Sequence, residues 1–278
     1  MTRGAEICWT FQYLAWRTWE SLCVGPGKGI EIGEESLTDF NLLDVQIRFP
    51  ANIKLYKYTK TQEHDETGAD WEWWIGSSAS DTWRRIRVQA KKLFHKGSQY
   101  KYDAFNESQM RLLIDKSLDP AVSAVPLYCF YNYWHDTSVR VPRTSHCLNH
   151  HCPARCYDMA LFPGVQGCTI AAAERVSLLP QRSRKTLRDV SNTSSPWHCL
   201  VCPGLLPTRP VVDTVDVALM KLLGVTNLPR RWVGLPDYAR GILPQIIGVC
   251  FMCVKSLLRR RARVVRRDRA PRRGGRVG

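Results

Sequence analysis

An α/β fold, running helix, three-strand meander, helix, strand through its first half, is what this sequence of 278 residues predicts. Three observations carry that expectation. Residues 68–74 (GADWEWW) and 85–92 (RIRVQAKK) alternate polar and apolar side chains with the period of a strand. Residues 34–49 and 102–116 space their apolar side chains as helices do. Residues 124–131 (AVPLYCFY) form a nearly continuous apolar run of strand length, as in a strand buried on both faces.

The elements follow in order. Residues 7–24 (ICWTFQYLAWRTWESLCV), interrupted by Arg17 and Glu20, form an amphipathic helix that packs on the core. Residues 25–33 (GPGKGIEIG) are glycine-rich but lack the Lys-Ser/Thr pair of a phosphate-cradling loop, so they are a linker. Residues 34–49 (EESLTDFNLLDVQIRF) open with two acids, carry Leu37, Phe40, Leu43 and Ile47 at helical spacing and stop before Pro50. Residues 53–59 (IKLYKYT) alternate as a first strand, and residues 61–68 are a polar, acidic hairpin loop ending in glycine. GADWEWWI is the second strand, residues 76–81 a turn, and TWRRIRVQAKKLF the third strand. A helix with Met110, Leu112, Leu113 and Ile114 and the strand at 124–131 complete the order. The expected organisation is an N-terminal helix and linker (1–30), a main domain (31–205), a helical extension (206–254) and a tail (255–278).

The polar face of the second and third strands is the unusual feature. Asp70 and Glu72 alternate with Ala69, Trp71 and Trp73, and Arg87, Gln89 and Lys91 alternate with Ile86, Val88 and Ala90. Burying such a set costs desolvation energy unless each member finds a partner or a metal. A sheet with one solvated face would show the same alternation. The density of tryptophan nearby (Trp71, Trp73, Trp74, Trp83) argues instead for burial or a contact surface.

Asp70 followed by Gln89-x-Lys91 on the next strand resembles the PD-(D/E)XK restriction-endonuclease-like superfamily in its Gln-x-Lys variant, as in Mrr-type nucleases. The longer string EESLTD, an acid-bearing loop, GADWEWW, VQAKK and PLYCFYN is similar to an uncharacterised bacterial domain-of-unknown-function family carrying the same blocks. The resemblance covers residues 30–205 or so. It implies a restriction-endonuclease-like core with a mixed central sheet, Mg²⁺-dependent phosphodiester hydrolysis, DNA as the substrate and a bacterial cytoplasmic setting. By the same resemblance Asp70 is the principal metal ligand, and Gln89 stands where the second acid usually does, offering a neutral carbonyl. Glu35 or Glu34, or Glu72 beside Asp70, would restore the missing charge. Lys91 would position or deprotonate the attacking water, or stabilise developing charge. Lys92 falls on the opposite face.

Each residue also has a plainer reading. Glu34 and Glu35 suit a helix N-terminus, Glu72 could pair with Arg87 or Lys57 across strands, and Lys91 with Lys92 could blunt a sheet edge. A non-catalytic nucleic-acid-binding module on the same sheet is the competing function.

Eleven cysteines raise a third reading, a zinc-stabilised interaction protein. Cys147, His150, Cys152 and Cys156 have loose zinc-ligand spacing, with His151 among them. Cys199 and Cys202 sit in the apolar run CLVC, expected as a strand with buried thiols, and Cys168 in GCTIAAAE is expected at a helix start. Nothing at the N-terminus resembles a signal peptide, so a reducing compartment without disulfides is expected. Net charge is +15, but one lysine and ten arginines against one aspartate lie after position 254, so the tail is the basic outlier. Its composition predicts a disordered segment able to hold phosphate non-specifically. Residues 241–254 (GILPQIIGVCFMCV) are too short to span a bilayer, so no stable membrane insertion is expected.

Overall fold

Four tryptophans of the meander, Trp71, Trp73, Trp74 and Trp83, are fully buried, and they mark the centre of the fold in this computed structural model. The structure describes residues 3–96, 99–103, 105–135, 163–202 and 210–240. Its helices are α1 (Arg3–Val24), α2 (Glu34–Arg48), α3 (Glu107–Leu118), α4 (Ala173–Leu178), α5 (Leu187–Thr193), α6 (Val211–Leu223) and α7 (Asp237–Arg240). Its strands are β1 (Ile53–Lys57), β2 (Trp71–Ser77), β3 (Thr82–Lys96), β4 (Gln99–Tyr102), β5 (Val125–Tyr131), β6 (Cys168–Ala172), β7 (Ser195–Pro196) and β8 (Trp232–Val233). They form one mixed sheet in the order β1-β2-β3-β5-β6-β7, with β4 and β8 also paired to β3. The β3–β5 pair is parallel and the others are antiparallel.

Period-two alternation sorts the sheet into two faces. Trp71, Trp73, Ile75, Ile86, Val88, Ala90, Leu127 and Cys129 join one core with residues of α1, α2 and α6. Tyr128, Phe130 and Leu93 point the other way, into a second core with Met110 and Leu113 of α3, Val176 of α4 and Val190 of α5. Asp70, Glu72, Gln89 and Lys91 lie on this second face, as the alternation requires. α1 lies close: a Cβ on Gly167 would fall 2.0 Å from the Ala15 carbonyl oxygen, so only glycine fits there.

The structure corrects several expectations. α2 is rotated from its expected phase: Phe40, Leu43 and Ile47 are exposed by 64%, 57% and 43%. Its buried face is Leu37, Thr38, Asn41, Leu42 and Val45. Thr38 and Asn41 are buried because they are bonded, Thr38 to the Tyr131 hydroxyl at 2.9 Å and Asn41 Nδ2 to Thr18 Oγ1 at 3.0 Å. The expected hairpin loop at 61–68 does join antiparallel β1 and β2, but it holds a π-helical turn, Gln62–Thr67. β3 runs on to Lys96 and pairs with β4, and the helix expected from residue 102 begins at Glu107. Cys168 opens a strand, with the helix starting at Ala173. Trp197–Leu200 is a 3₁₀ turn instead of a strand, although Cys199 and Cys202 are indeed buried. The proposed zinc ligands Cys147, His150, Cys152 and Cys156, the 241–254 segment and the arginine-rich tail lie outside the described residues.

Candidate active site

β2 and β3 part company at one end, and the candidate site fills the fork. Their ladder finishes at Trp71↔Val88, with the Asp70 amide still bonded to the Val88 carbonyl at 2.9 Å. β3 continues beside β5 as far as Lys92↔Tyr131. The backbone N–H groups of Ala90 and Lys92 therefore face an edge that β2 has left. Two carboxylates take the place of the missing strand. Asp70 Oδ2 accepts from Ala90 N–H at 2.6 Å, and Glu34 Oε2 accepts from Lys92 N–H at 2.6 Å. Buried backbone donors need partners, which is the local reason for acids at these two positions.

The fork opens because the chain turns away at Gly68. Its φ of +69° is in the left-handed region, and a Cβ there would meet Gln109 O and Leu113 N of α3, each at 2.4 Å. The π-helical turn before it delivers Glu63, an acid that the sequence alone does not distinguish from its neighbours. Glu63 is buried, and its Oε1 accepts from Gln109 Nε2 at 2.7 Å. Glu34, Glu63 and Asp70 line a cleft of about 260 Å³, with Glu35, Tyr58, Lys57 and Lys60 around it. Only the burial of Gln109 on α3 reveals Glu63 as a fixed member, and that is a tertiary fact.

Charge in this cleft is poorly compensated. Burial, then the nearby charge of Glu63, with Glu34 contributing further, lift the Asp70 carboxyl to about 7, against the pull of the Ala90 N–H and Lys91. Burial also raises Glu34, opposed by Lys91 and by the Lys92 N–H. Lys91 thus acts on both acids. Glu35 is different: its side chain is 65% exposed and bonded to Lys60 at 2.7 Å, which lowers its pKa. The acid of α2 that reaches the fork is Glu34, and Glu35 stands at the rim.

Gln89 lies on the same face, 1% exposed, and among the described residues its Nε2 has no hydrogen-bond partner. The neighbouring Tyr128, its register partner on β5, likewise leaves its hydroxyl unpaired there. Lys92, on the other face, gives its ammonium to the Ile32 carbonyl at 2.9 Å.

Glu72 is removed from the set of metal ligands. It is fully buried, and Arg85, Arg87, Tyr58, Trp74 and Tyr238 all donate to it at 2.6–3.2 Å. Burial alone would raise its pKa, but Arg85, the Tyr58 bond and Arg87 outweigh that and hold it lowered. Glu72 is the hub of a buried ion network, the cross-strand alternative in an enlarged form.

Among the described residues no three His, Cys, Asp or Glu side chains converge closely enough to hold a metal between them. Mg²⁺, however, usually takes one or two protein carboxylates and fills its shell with water and substrate phosphate. Asp70 and Glu34 fit that smaller requirement. Each commits one oxygen to the backbone, and at both burial outweighs the charge of Lys91.

A family model described as Family of unknown function (DUF6615) matches residues 7–271. No curated protein matches the chain.

Proposed function

The chain belongs to the DUF6615 family, and we propose that it is a Mg²⁺-dependent nuclease that hydrolyses phosphodiester bonds, with DNA as the substrate, on a restriction-endonuclease-like core. The observation that carries this reading is the fork: Asp70 and Glu34 seated on the N–H groups of Ala90 and Lys92, with Lys91 between those two backbone anchors. Mg²⁺ bound at the two carboxylates would neutralise phosphate charge and acidify a water. The protein's own part is positional. The backbone bonds fix Asp70 and Glu34 without using side-chain donors. Lys91, half-exposed on the same face as Asp70, offers a cation to the phosphate or to the attacking water. Gln89 holds a neutral amide beneath, so Glu34 supplies the second negative charge. No described helix is long and apolar enough to cross a membrane. The compartment we propose is the bacterial cytoplasm.

The decisive experiment is Mg²⁺-dependent cleavage of supercoiled and linear DNA by wild type, Asp70→Ala, Glu34→Ala and Lys91→Ala. Loss in all three variants, by about a hundredfold or more, is expected. Equal cutting by all four proteins would dismiss the assignment. Binding of DNA by every protein with cutting by none would favour the non-catalytic module.

A further inference from the structure

We propose that the ribbon formed by β3 and β4 is an arm that binds unpaired nucleic acid, with the stacked rings of His95 and Tyr100 as the platform for a base. The inference rests on the nucleic-acid reading of the Asp70 cleft and names the form of substrate that cleft receives. β3 does not stop at the site. After its last pair with β5 at Lys92 it continues with β4 alone, through Leu93↔Tyr102, Phe94↔Lys101 and His95↔Tyr100. Alternation keeps Gln89, Lys91, Leu93 and His95 on one face, the face of Asp70. Leu93 and Tyr102 are buried in the second core and form the root of the arm.

Further out, the rings of His95 and Tyr100 lie 4.7 Å apart and 17° from parallel. Tyr100 is half-buried, and its hydroxyl accepts the backbone N–H of His135 at 2.9 Å. His95 is exposed. One ring is therefore anchored, and the other rests on it and faces solvent, which is the arrangement a stacking surface needs. At ~3.4 Å per residue His95 lies ~14 Å along the strand from Lys91. An unpaired chain that runs along β3 with its scissile bond at Asp70 would therefore pass over the platform.

Charge favours the same occupant. Residues 91–102 contain Lys91, Lys92, Lys96 and Lys101 and no acid, with Asp103 the first to follow. Lys92 is turned inward to Ile32, and Lys101, the partner of Phe94, lies on the face opposite His95, which leaves Lys91 on the platform's face to meet phosphate. A base can cover the His95 ring only when it has left the stack of a duplex. The platform therefore selects unpaired strands, while Lys91 does not discriminate.

The test is fluorescence anisotropy of the full chain in EDTA, which prevents cleavage. The probes are a fluorescein-labelled oligothymidylate of about 15 nucleotides and a duplex of equal length. His95→Ala should weaken oligothymidylate binding about tenfold and duplex binding less than about twofold. His95→Phe should restore the former, which separates stacking from loss of fold. Lys91→Ala should weaken both probes and reduce the salt slope by about one. Oligothymidylate binding by His95→Ala within about twofold of wild type, failure of His95→Phe to restore it, or no binding by wild type would each overturn the proposal. The nuclease reading fails separately: wild type that shows this stacking signature in EDTA but cuts nothing in Mg²⁺ keeps the arm and loses the catalyst.

Discussion

Asp70 Oδ2 accepts the backbone N–H of Ala90 at 2.6 Å, one position beyond the point where the strands carrying the two residues separate. A side chain there does what a neighbouring strand would otherwise do. The carboxylate is placed by the sheet's own hydrogen-bonding requirement, so its geometry does not depend on a flexible loop. It is also held in a buried position beside two other acids, and that has measurable consequences.

Asp70 should make stability fall as pH rises. Its carboxyl is lifted from an ordinary 3.8 to about 7 by burial and by Glu63 and Glu34. Between those values the folded protein keeps a proton that the unfolded chain has lost. Folding is thus weakened progressively from about pH 4 to about pH 7 and changes little on either side. Asp70→Asn retains an acceptor for Ala90 and abolishes this dependence. Its melting temperature should exceed that of wild type by a few degrees at pH 8, with the gap closing towards pH 4. Activity should run the other way, rising through pH 7 as the ligand ionises. Glu63→Gln, which keeps the Gln109 contact in reach, should move that midpoint lower. An unmoved midpoint would show that Glu63 does not act on Asp70.

Gly68→Ala should destabilise far more than Gly29→Ala. Both glycines have positive φ, but a Cβ at 68 meets α3 backbone at 2.4 Å while one at 29 meets nothing within 4 Å. Urea unfolding should show about 1 kcal/mol lost at Gly29 and ~3 kcal/mol or more at Gly68. Similar losses would mean that α3 yields easily and that the fork is not held open by this contact.

Glu72→Gln should cost about 3–5 kcal/mol, because Arg85 and Arg87 would be left buried beside a neutral amide. The side chains of these arginines are 9% and 8% exposed. Where the variant folds, its affinity for Mn²⁺ should match wild type, as measured by calorimetry. A large loss of metal affinity at preserved stability would return Glu72 to the site.

Leu42→Ala should cost about 2–5 kcal/mol, and Leu43→Lys less than about 0.5 kcal/mol. Adjacent on α2, they are 3% and 57% exposed. The opposite ranking by chemical denaturation would restore the helical phase expected from apolar spacing.

That last contrast shows where sequence patterning stopped being informative. Alternation placed Asp70, Glu72, Gln89 and Lys91 on one face correctly, because period two follows from covalent geometry. It offered Arg87 as a partner of Glu72 but could not choose between that pairing and a metal, nor add Arg85, since this depends on which groups the second layer leaves uncovered. In α2 the row Leu37, Phe40, Leu43, Ile47 is the obvious apolar stripe. Tyr131 and Thr18 supply hydrogen bonds that make Thr38 and Asn41 the buried side instead. Glu63 looked like one acid among several in QEHDET, and only its bond to Gln109 distinguishes it. β4 escaped notice because QYKY is too short and too polar to show a pattern of its own. α1, α2, α3, the meander and β5 were legible because their patterns run over enough residues to show.

The Glu72 network has a bearing on how the chain matures. Tyr238 donates to Glu72 Oε1 at 2.8 Å across a sequence separation of 166 residues, and Arg84 reaches Asp216 across 132. During synthesis the meander emerges long before either partner, so Arg84 waits for its carboxylate and Glu72, already paired with Arg85 and Arg87, for its last donor. Contacts of such range slow folding, and a half-made chain would present four tryptophans and two unpaired strand edges to its neighbours. The segment around Tyr238 is therefore among the last described parts to join the sheet, and until it does the meander keeps an edge open to wrong partners.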